Sequence, residues 1–428
     1  MSDQGSVAIS RATRRYALAM IAAVYVFNFI DRQILAILLP AIKLEFGVDD
    51  WVLGFLAGSA FALFYATLGV PIALLADRWN RRNLIAISLA LWSAMTAWSG
   101  VAANVFQLTL ARIGVGVGEA GYAPPAHSMI ADYYPPEQRS TAMGIFTLGI
   151  SLGIMIAYLG GGWIAQNIGW RSAFLIVGIP GLMLALIFRL TVTEPPRGLS
   201  DGKVDAGERY HVLAVAKFLL RRKSFVHLSL GAGLSSFNAY AVLSFFPSFL
   251  ERSHGMNLQQ IGMYLGVIIG VSTGIGFVGG GYFADRIGSK NKRRSLRAVA
   301  AALMLGWVFV FPLYLLSNPY LVIGLFFLPS VLTNCYLPTT FAQTQSLVGI
   351  RMRSVASAIL LFVINIIGLG LGPQAAGILS DYLTATQGVD SLRYSLLIIG
   401  VITGPWTAWH FYVAGRHIDA DLARVDEQ

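Results

Sequence analysis

Asp31, Arg32, Arg112 and Glu119 sit inside long apolar stretches, the first pair within residues 16–39 and the second within 106–131. Two carboxylates can take up and release protons, and two guanidiniums can hold an anionic group by charge-assisted contacts. Arg112 and Glu119 are seven residues apart, two turns of helix, and so share one face. If the two stretches are antiparallel spans, a rise of about 1.5 Å per residue puts Asp31 and Arg32 roughly 12 Å below one end of the first. The same count puts Arg112 and Glu119 roughly 9 and 20 Å below the corresponding end of the other, so the four charges overlap in depth. They sum to zero.

Such residues need elements that hide them. Of the 428 residues, 56% are hydrophobic and 12% charged, with a mean hydropathy of +0.65. A soluble domain carries about 25% charged residues, so this chain needs lipid as part of its solvent. A charge at the bilayer centre costs about 2.5–3.5 kcal/mol or more, which forces all four to face the interior of a helix bundle or a water-filled cavity. The composition leaves no room for a large soluble domain. The single cysteine, Cys335, excludes an intrachain disulfide and a thiolate metal site. No histidine spacing suggests a metal either, and no nucleophile–base pattern suggests an enzyme.

Apolar runs fall at about 16–39, 51–76, 83–103, 106–131, 140–164 and 170–192, then at about 225–250, 258–284, 296–316, 320–346, 354–380 and 393–413. We expect an all-α integral membrane protein of twelve spans in two pseudo-symmetric halves. Its parts are residues 1–193, a linker at 194–223 with a basic amphipathic helix from Tyr210 to Lys223, a second half at 224–413 and a tail at 414–428. That amphipathic stretch is equally readable as a solvated connector. The first run is too long for a secretory leader and reads as an uncleaved span. Of the 31 Lys and Arg, 25 fall on the side of the termini and four on the other, which predicts cytoplasmic termini in a cell membrane. The formal charge of +10 is then positive-inside bias facing membrane lipid and not a nucleic-acid footprint.

The halves resemble one another. Leu75-Ala76-Asp77-Arg78 recurs as Phe283-Ala284-Asp285-Arg286, Tyr122-Ala123-Pro124 as Tyr336-Leu337-Pro338, and Arg139-Ser140-Thr141-Ala142 as Arg353-Ser354-Val355-Ala356. A duplicated six-span unit suits two halves that rock about a site between them. The second half has no charge in its spans. It offers Asn238, Asn334 and Asn365 among Phe237, Tyr240 and other aromatics, a set that more often serves helix packing than a ligand wall. The pattern Gly116-Val117-Gly118-Glu119-Ala120-Gly121 fits a nucleotide-binding consensus but lacks the strand that motif requires. Its glycines read as points of close helix contact.

Asp77-Arg78-Trp79-Asn80-Arg81-Arg82 and Gly281-Tyr282-Phe283-Ala284-Asp285-Arg286-Ile287-Gly288 resemble the duplicated cytoplasmic signature of the major facilitator superfamily. The first copy departs from it at Ala73 and Asn80, where the signature has glycine. Arg112-Ile113-Gly114-Val115-Gly116 is similar to the superfamily's span 4 arginine motif, which implies proton coupling. A narrower resemblance, to the spinster family, rests on Asp31-Arg32-Gln33, Phe61-Ala62-Leu63-Phe64-Tyr65, Gly118-Glu119-Ala120-Gly121 and Ile130-Ala131-Asp132-Tyr133. It implies alternating-access, proton-driven transport of lysophospholipids or sphingoid phosphates, with functional roles for Asp31, Arg32 and Glu119.

The expectation is therefore a carrier without cofactor or metal, working as a monomer on an amphipathic or lipid substrate and protons. Asp31, Glu119 and Arg112 would couple protons. Arg32, Arg112, Glu119, Phe237, Asn238, Tyr240, Asn334 and Asn365 would bind substrate. Asp77, Arg78, Arg81, Arg82, Asp285, Arg286 and Arg139 would form cytoplasmic gate contacts, unless they only anchor loops and topology. The rival readings are a facilitator of small organic anions or drugs, a receptor that does not transport, and a buried ion-pair cluster of purely structural purpose.

Overall fold

The structure, a computed structural model, describes residues 9–76, 78–198, 212–288, 291–349 and 352–426. The described residues are almost entirely helical. Span 1 is Arg11–Phe46; span 2 joins Asp50–Gly54, a π-turn at Phe55–Ser59 and Ala60–Ala76; span 3 is Arg81–Ser99. Span 4 is Val105–Glu119 continued by Ala123–Tyr133, span 5 Pro136–Asn167 and span 6 Trp170–Thr191. In the second half, span 7 is Lys223–His254, span 8 Leu258–Gly288, span 9 Lys292–Trp307 with Val310–Leu315, and span 10 Pro319–Asn334 with Tyr336–Ser346. Span 11 joins Arg353–Ile364, a π-turn at Asn365–Gly370 and Leu371–Gln387, and span 12 is Ser391–Asp426. This is the expected twelve-span architecture.

Asparagine or serine side chains start several spans by accepting a backbone N–H that the first turn leaves free: Ser10 from Thr13, Asn80 from Asn83, Asn104 from Gln107 and Asn291 from Arg294. Spans 1 and 7 both end on a left-handed glycine, Gly47 at φ 62° and Gly255 at φ 67°. The two lie 208 positions apart, the offset that separates Asp77-Arg78 from Asp285-Arg286. The internal repeat is thus visible in backbone conformation as well as in side chains.

Apolar side chains cover the outside of the bundle, with Leu186, Leu190, Val278 and Leu321 all more than half exposed. Around a soluble protein this would be an aggregation surface; here it is the lipid face. Among the described residues, nine helical stretches are long and apolar enough to cross a membrane by composition, the last of them covering spans 11 and 12 together. Spans 3 and 4 are not among the nine. Polar residues lower the hydropathy of span 3, and span 4 is broken between Glu119 and Ala123 into helices of 15 and 11 residues, each too short to cross alone.

Span 5 of the first half crosses span 8 of the second at a pair of glycines. A Cβ on Gly162 would lie 2.4 Å from the Leu258 carbonyl oxygen, and one on Gly262 would lie 2.2 Å from that of Tyr158. Backbone meets backbone there, as small residues permit in membranes. In the linker, the described part of the expected amphipathic stretch is the helix Val212–Leu220. It buries Val215 and Leu219 against Phe225, Leu296 and Ile418, so it docks on the second half while Leu213 and Leu220 stay exposed. Tyr210 and His211 lie outside the described residues.

Candidate functional site

Span 1 carries Asp31 and Arg32 on adjacent positions, and a helix must turn adjacent side chains about 100° apart. Their surroundings differ accordingly. Arg32 points towards span 4, where its Nη2 donates to Glu119 Oε2 at 2.5 Å and its Nε to the same oxygen at 3.2 Å. Its guanidinium also lies over the rings of Phe29, Phe61 and Tyr65 at 5.2, 4.9 and 4.8 Å from their centroids. Asp31 turns the other way and is fully buried. Its carboxylate faces Trp92 and Thr96 of span 3, yet neither of its oxygens closes a hydrogen bond, and nor do Trp92 Nε1 and Thr96 Oγ1.

Arg112 is almost fully buried and donates through Nη1 to the backbone oxygen of Asp31 at 3.3 Å, while its Nε has no partner. Phe61 lies between the two arginines, 5.5 Å from Arg112. Gly116 lets span 4 come this close to span 2, since a Cβ there would lie 2.6 Å from the Phe61 carbonyl oxygen. The four charges expected to share a depth therefore form one cluster. It contains a single ion pair and a set of buried polar atoms left open around Asp31.

Beside the cluster is a cavity of about 320 Å³. Arg32 is its charged side chain, and Tyr25, Phe29, Gln33, Tyr65, Ile150 and Ile154 make up the rest of the first half's contribution. Most of the wall comes from the second half, including Asn238, Tyr240, Phe326, Asn334, Asn365, Trp307 and Thr407. Of the residues expected to bind substrate, Arg32, Asn238, Tyr240, Asn334 and Asn365 line it. Arg112 and Glu119 stand behind Arg32, out of the lining, and Phe237 packs into the apolar core. Phe237 differs from its neighbour because consecutive helical side chains point to different faces, and here the cavity takes Asn238.

The two halves are tied together at the end of the bundle opposite the termini. Asp50 accepts from Arg252 Nη1 and Nη2, both at 2.7 Å, from Lys43 Nζ at 2.6 Å and from Ser380 Oγ at 2.7 Å. Asp381 accepts from the backbone N–H groups of Asp50 and Trp51 at 2.9 and 2.8 Å. Lower down, Ser59 in the π-turn of span 2 donates to Gly370 O in the π-turn of span 11 at 3.0 Å, and Tyr158 donates to Leu243 O at 2.7 Å. Sequence reasoning missed this latch. Lys43 and Arg252 were countable as charges of the far loops, but nothing in one sequence pairs them with Asp50 across the halves.

The residues expected at the cytoplasmic gate lie at the terminus-side end. Arg81 is buried and donates to Glu194 Oε1 at 2.8 Å, Ser128 Oγ at 2.8 Å, Pro195 O at 2.7 Å and the Asp132 carboxylate. The Arg82 backbone N–H donates to Glu194 Oε2 at 2.8 Å, and Arg139 donates to the carbonyls of Ala131 and Tyr134 at 2.8 and 3.2 Å. These contacts stay within the first half and the start of the linker, and none of them reaches the second half. Arg78 is exposed, and Arg286 donates to the Tyr282 hydroxyl of its own span. Asp77 and the side chain of Asp285 lie outside the described residues. Arg197 joins the same assembly, donating to Ala76 O and Trp79 O at 2.7 Å each, so the start of the linker is strapped across the loop between spans 2 and 3.

A charged, buried cluster beside a cavity between two six-span halves is the geometry of a carrier, and the family comparison agrees. The family profile described as Major Facilitator Superfamily matches residues 21–373. The chain belongs to the major facilitator superfamily. An MFS-type efflux pump of Mycolicibacterium smegmatis is 32% identical to this facilitator over 90% of this chain and 88% of that protein. Protein spinster homolog 1 of Xenopus tropicalis is 26% identical over 93% of this chain and 80% of that protein. Among solved structures, a bacterial homologue of the human lysosomal transporter spinster, inward-facing and unoccupied, superposes with a TM-score of 0.88 at 29% identity. That likeness covers 96% of this chain and 99% of the other. The facilitator is thus a multi-pass membrane transporter similar to spinster proteins, and its family is one of transporters, not enzymes.

Proposed function

We propose that this facilitator carries an amphipathic anion of lysolipid or sphingoid-phosphate type by alternating access, driven by protons. The observation that carries the reading is the asymmetry of the cavity: one guanidinium, Arg32, at the wall of the first half and a mainly apolar and aromatic wall through the second. An anionic head would exchange with Glu119 for Arg32, since both compete for the same donors. The tail would lie against Phe326, Trp307 and their neighbours, where burial of each methylene stabilises by about 0.8 kcal/mol.

Protons enter the reading through the same competition. A proton on Glu119 frees Arg32 for the substrate head, and its loss returns Arg32 to the carboxylate. Asp31, buried beside the unpaired Trp92 and Thr96 groups, offers a second place for a proton, and the two carboxylates titrate as a pair. Transport of small organic anions or drugs is the second reading, and the relative named as an efflux pump favours export as its direction.

The test is uptake of a labelled lysophospholipid into proteoliposomes with and without an imposed pH gradient, with Glu119→Gln alongside. Gradient-dependent flux that Glu119→Gln removes is expected. Flux indifferent to both would return the charge cluster to a structural role. Flux of drugs but no lysolipid would select the second reading.

A further inference from the structure

At the end of span 9, the indole of Trp307 is seated against span 12 in a slot that exists because position 404 is glycine. A Cβ on Gly404 would lie 2.3 Å from Trp307 Cδ1 and 3.0 Å from its Cγ, closer than side chains tolerate. The indole is fixed there by Nε1, which donates to Val401 O at 3.2 Å, and by an edge contact with Phe311 at 6.2 Å between centroids. One turn along, Gly400 gives the same close approach to Val310, whose Cγ1 would be 2.9 Å from a Cβ there. Span 12 thus presents a strip without side chains, and Trp307 and Val310 fill it.

Trp307, Val310, Gly400 and Gly404 all line the cavity. Next to the indole on the same two helices, Leu305, Val308, Ile402 and Trp406 are 50–59% exposed and belong to the lipid face. The indole therefore stands between the interior of the cavity and the seam through which spans 9 and 12 meet the bilayer. Arg32, the charged group, is on the wall of the other half. A molecule held by its head at Arg32 and extended into the second half meets Trp307 at the end of its path.

We propose that Trp307, held in place by the absent side chain of Gly404, sets the depth of the apolar part of the cavity and so the length of hydrocarbon chain the carrier accepts. The inference rests on the amphiphile reading above and adds a specificity-determining pair to it. Its physical content is reciprocal. Removing the indole deepens the cavity towards the bilayer seam. Adding a methyl at position 404 displaces the indole towards its open side, the cavity, and makes the cavity shallower.

The experiment measures binding of lysophosphatidic acids with lauroyl, myristoyl, palmitoyl and stearoyl chains to the full-length protein in lipid nanodiscs. The wild type is expected to show an optimum chain length. Trp307→Ala is expected to move that optimum to longer chains, with up to about fourfold tighter binding for each methylene newly accommodated. Trp307→Phe should move it part of the way, and Gly404→Ala should move it to shorter chains. Unaltered optima in Trp307→Phe and Gly404→Ala, both retaining the wild-type thermal transition, would overturn the proposal even if Trp307→Ala failed to fold. A wild type that binds none of the series would overturn the amphiphile reading itself, and that failure is visible before any variant is compared.

Discussion

Arg252 of span 7 holds Asp50 of span 2 through both terminal nitrogens, each 2.7 Å from a carboxylate oxygen, although 202 residues separate them in the chain. Asp50 is buried in the far-end contact, whereas Lys43, its second cationic partner, is one-third exposed. The bidentate pair is therefore the stronger element of the latch. It closes the bundle on the side away from the termini, so under the proposed alternating access an exchange would require it to break.

Asp50→Asn removes the acceptor charge while keeping the shape, and leaves Arg252 facing Lys43 without a carboxylate between them. Loss of one partner of such a pair costs about 2 kcal/mol or more, roughly a thirtyfold shift in equilibrium. The variant is expected to populate the form open at the far end. Distances between spin labels placed on spans 2 and 7 at that end should lengthen; an unchanged distribution would sink the latch role.

Arg81→Ala strips the linker strap of its centre. The guanidinium meets Asp132, Glu194, Ser128 and the Pro195 carbonyl, and is itself 1% exposed. Breaking a buried pair costs about 3–5 kcal/mol, and the partial exposure of Glu194 brings the expectation down to about 2–3 kcal/mol. A lower thermal transition in detergent, together with faster proteolysis at residues 193–198, is the predicted result. A variant as stable and as resistant as the wild type would show that the strap is dispensable.

Gly262→Val tests the crossing of spans 5 and 8. The new side chain must displace the Tyr158 carbonyl, 2.2 Å from its Cβ, and backbone yields less readily than a side chain. Overpacking of this kind costs about 1–3 kcal/mol. Since the clash falls between the halves and not within either, transport should be lost while the protein still inserts and elutes as a single species. Normal transport by this variant would mean that the halves do not depend on close contact there.

Several of these features were legible in the residues alone. The apolar runs and the repeat at 208 positions led to twelve spans in two halves, because lipid imposes a length that composition cannot disguise. The depth of Asp31, Arg32, Arg112 and Glu119 followed from counting residues along two antiparallel helices. Their assembly into one cluster followed from the cost of leaving any of them in hydrocarbon. The glycines of span 4 were readable as points of close approach, and each of Gly114, Gly116, Gly118 and Gly121 lies where a Cβ would overlap a neighbour.

Pairing was not legible. That Glu119 takes Arg32 while Arg112 takes only the Asp31 carbonyl depends on which faces spans 1 and 4 turn to each other, a rotation that no single helix contains. Asp50, Arg252 and Ser380 meet because two halves close on one another at the far end, and Asn238 lines the cavity where Phe237 does not because of the angle at which span 7 sits. The chain by itself determined how many helices cross the membrane, how deep its charges lie and that they must be hidden, since these are consequences of length, rise and the transfer of charge. Only the tertiary structure decided who faces whom, because contacts across hundreds of residues are chosen by the packing of rigid helices and leave no local trace.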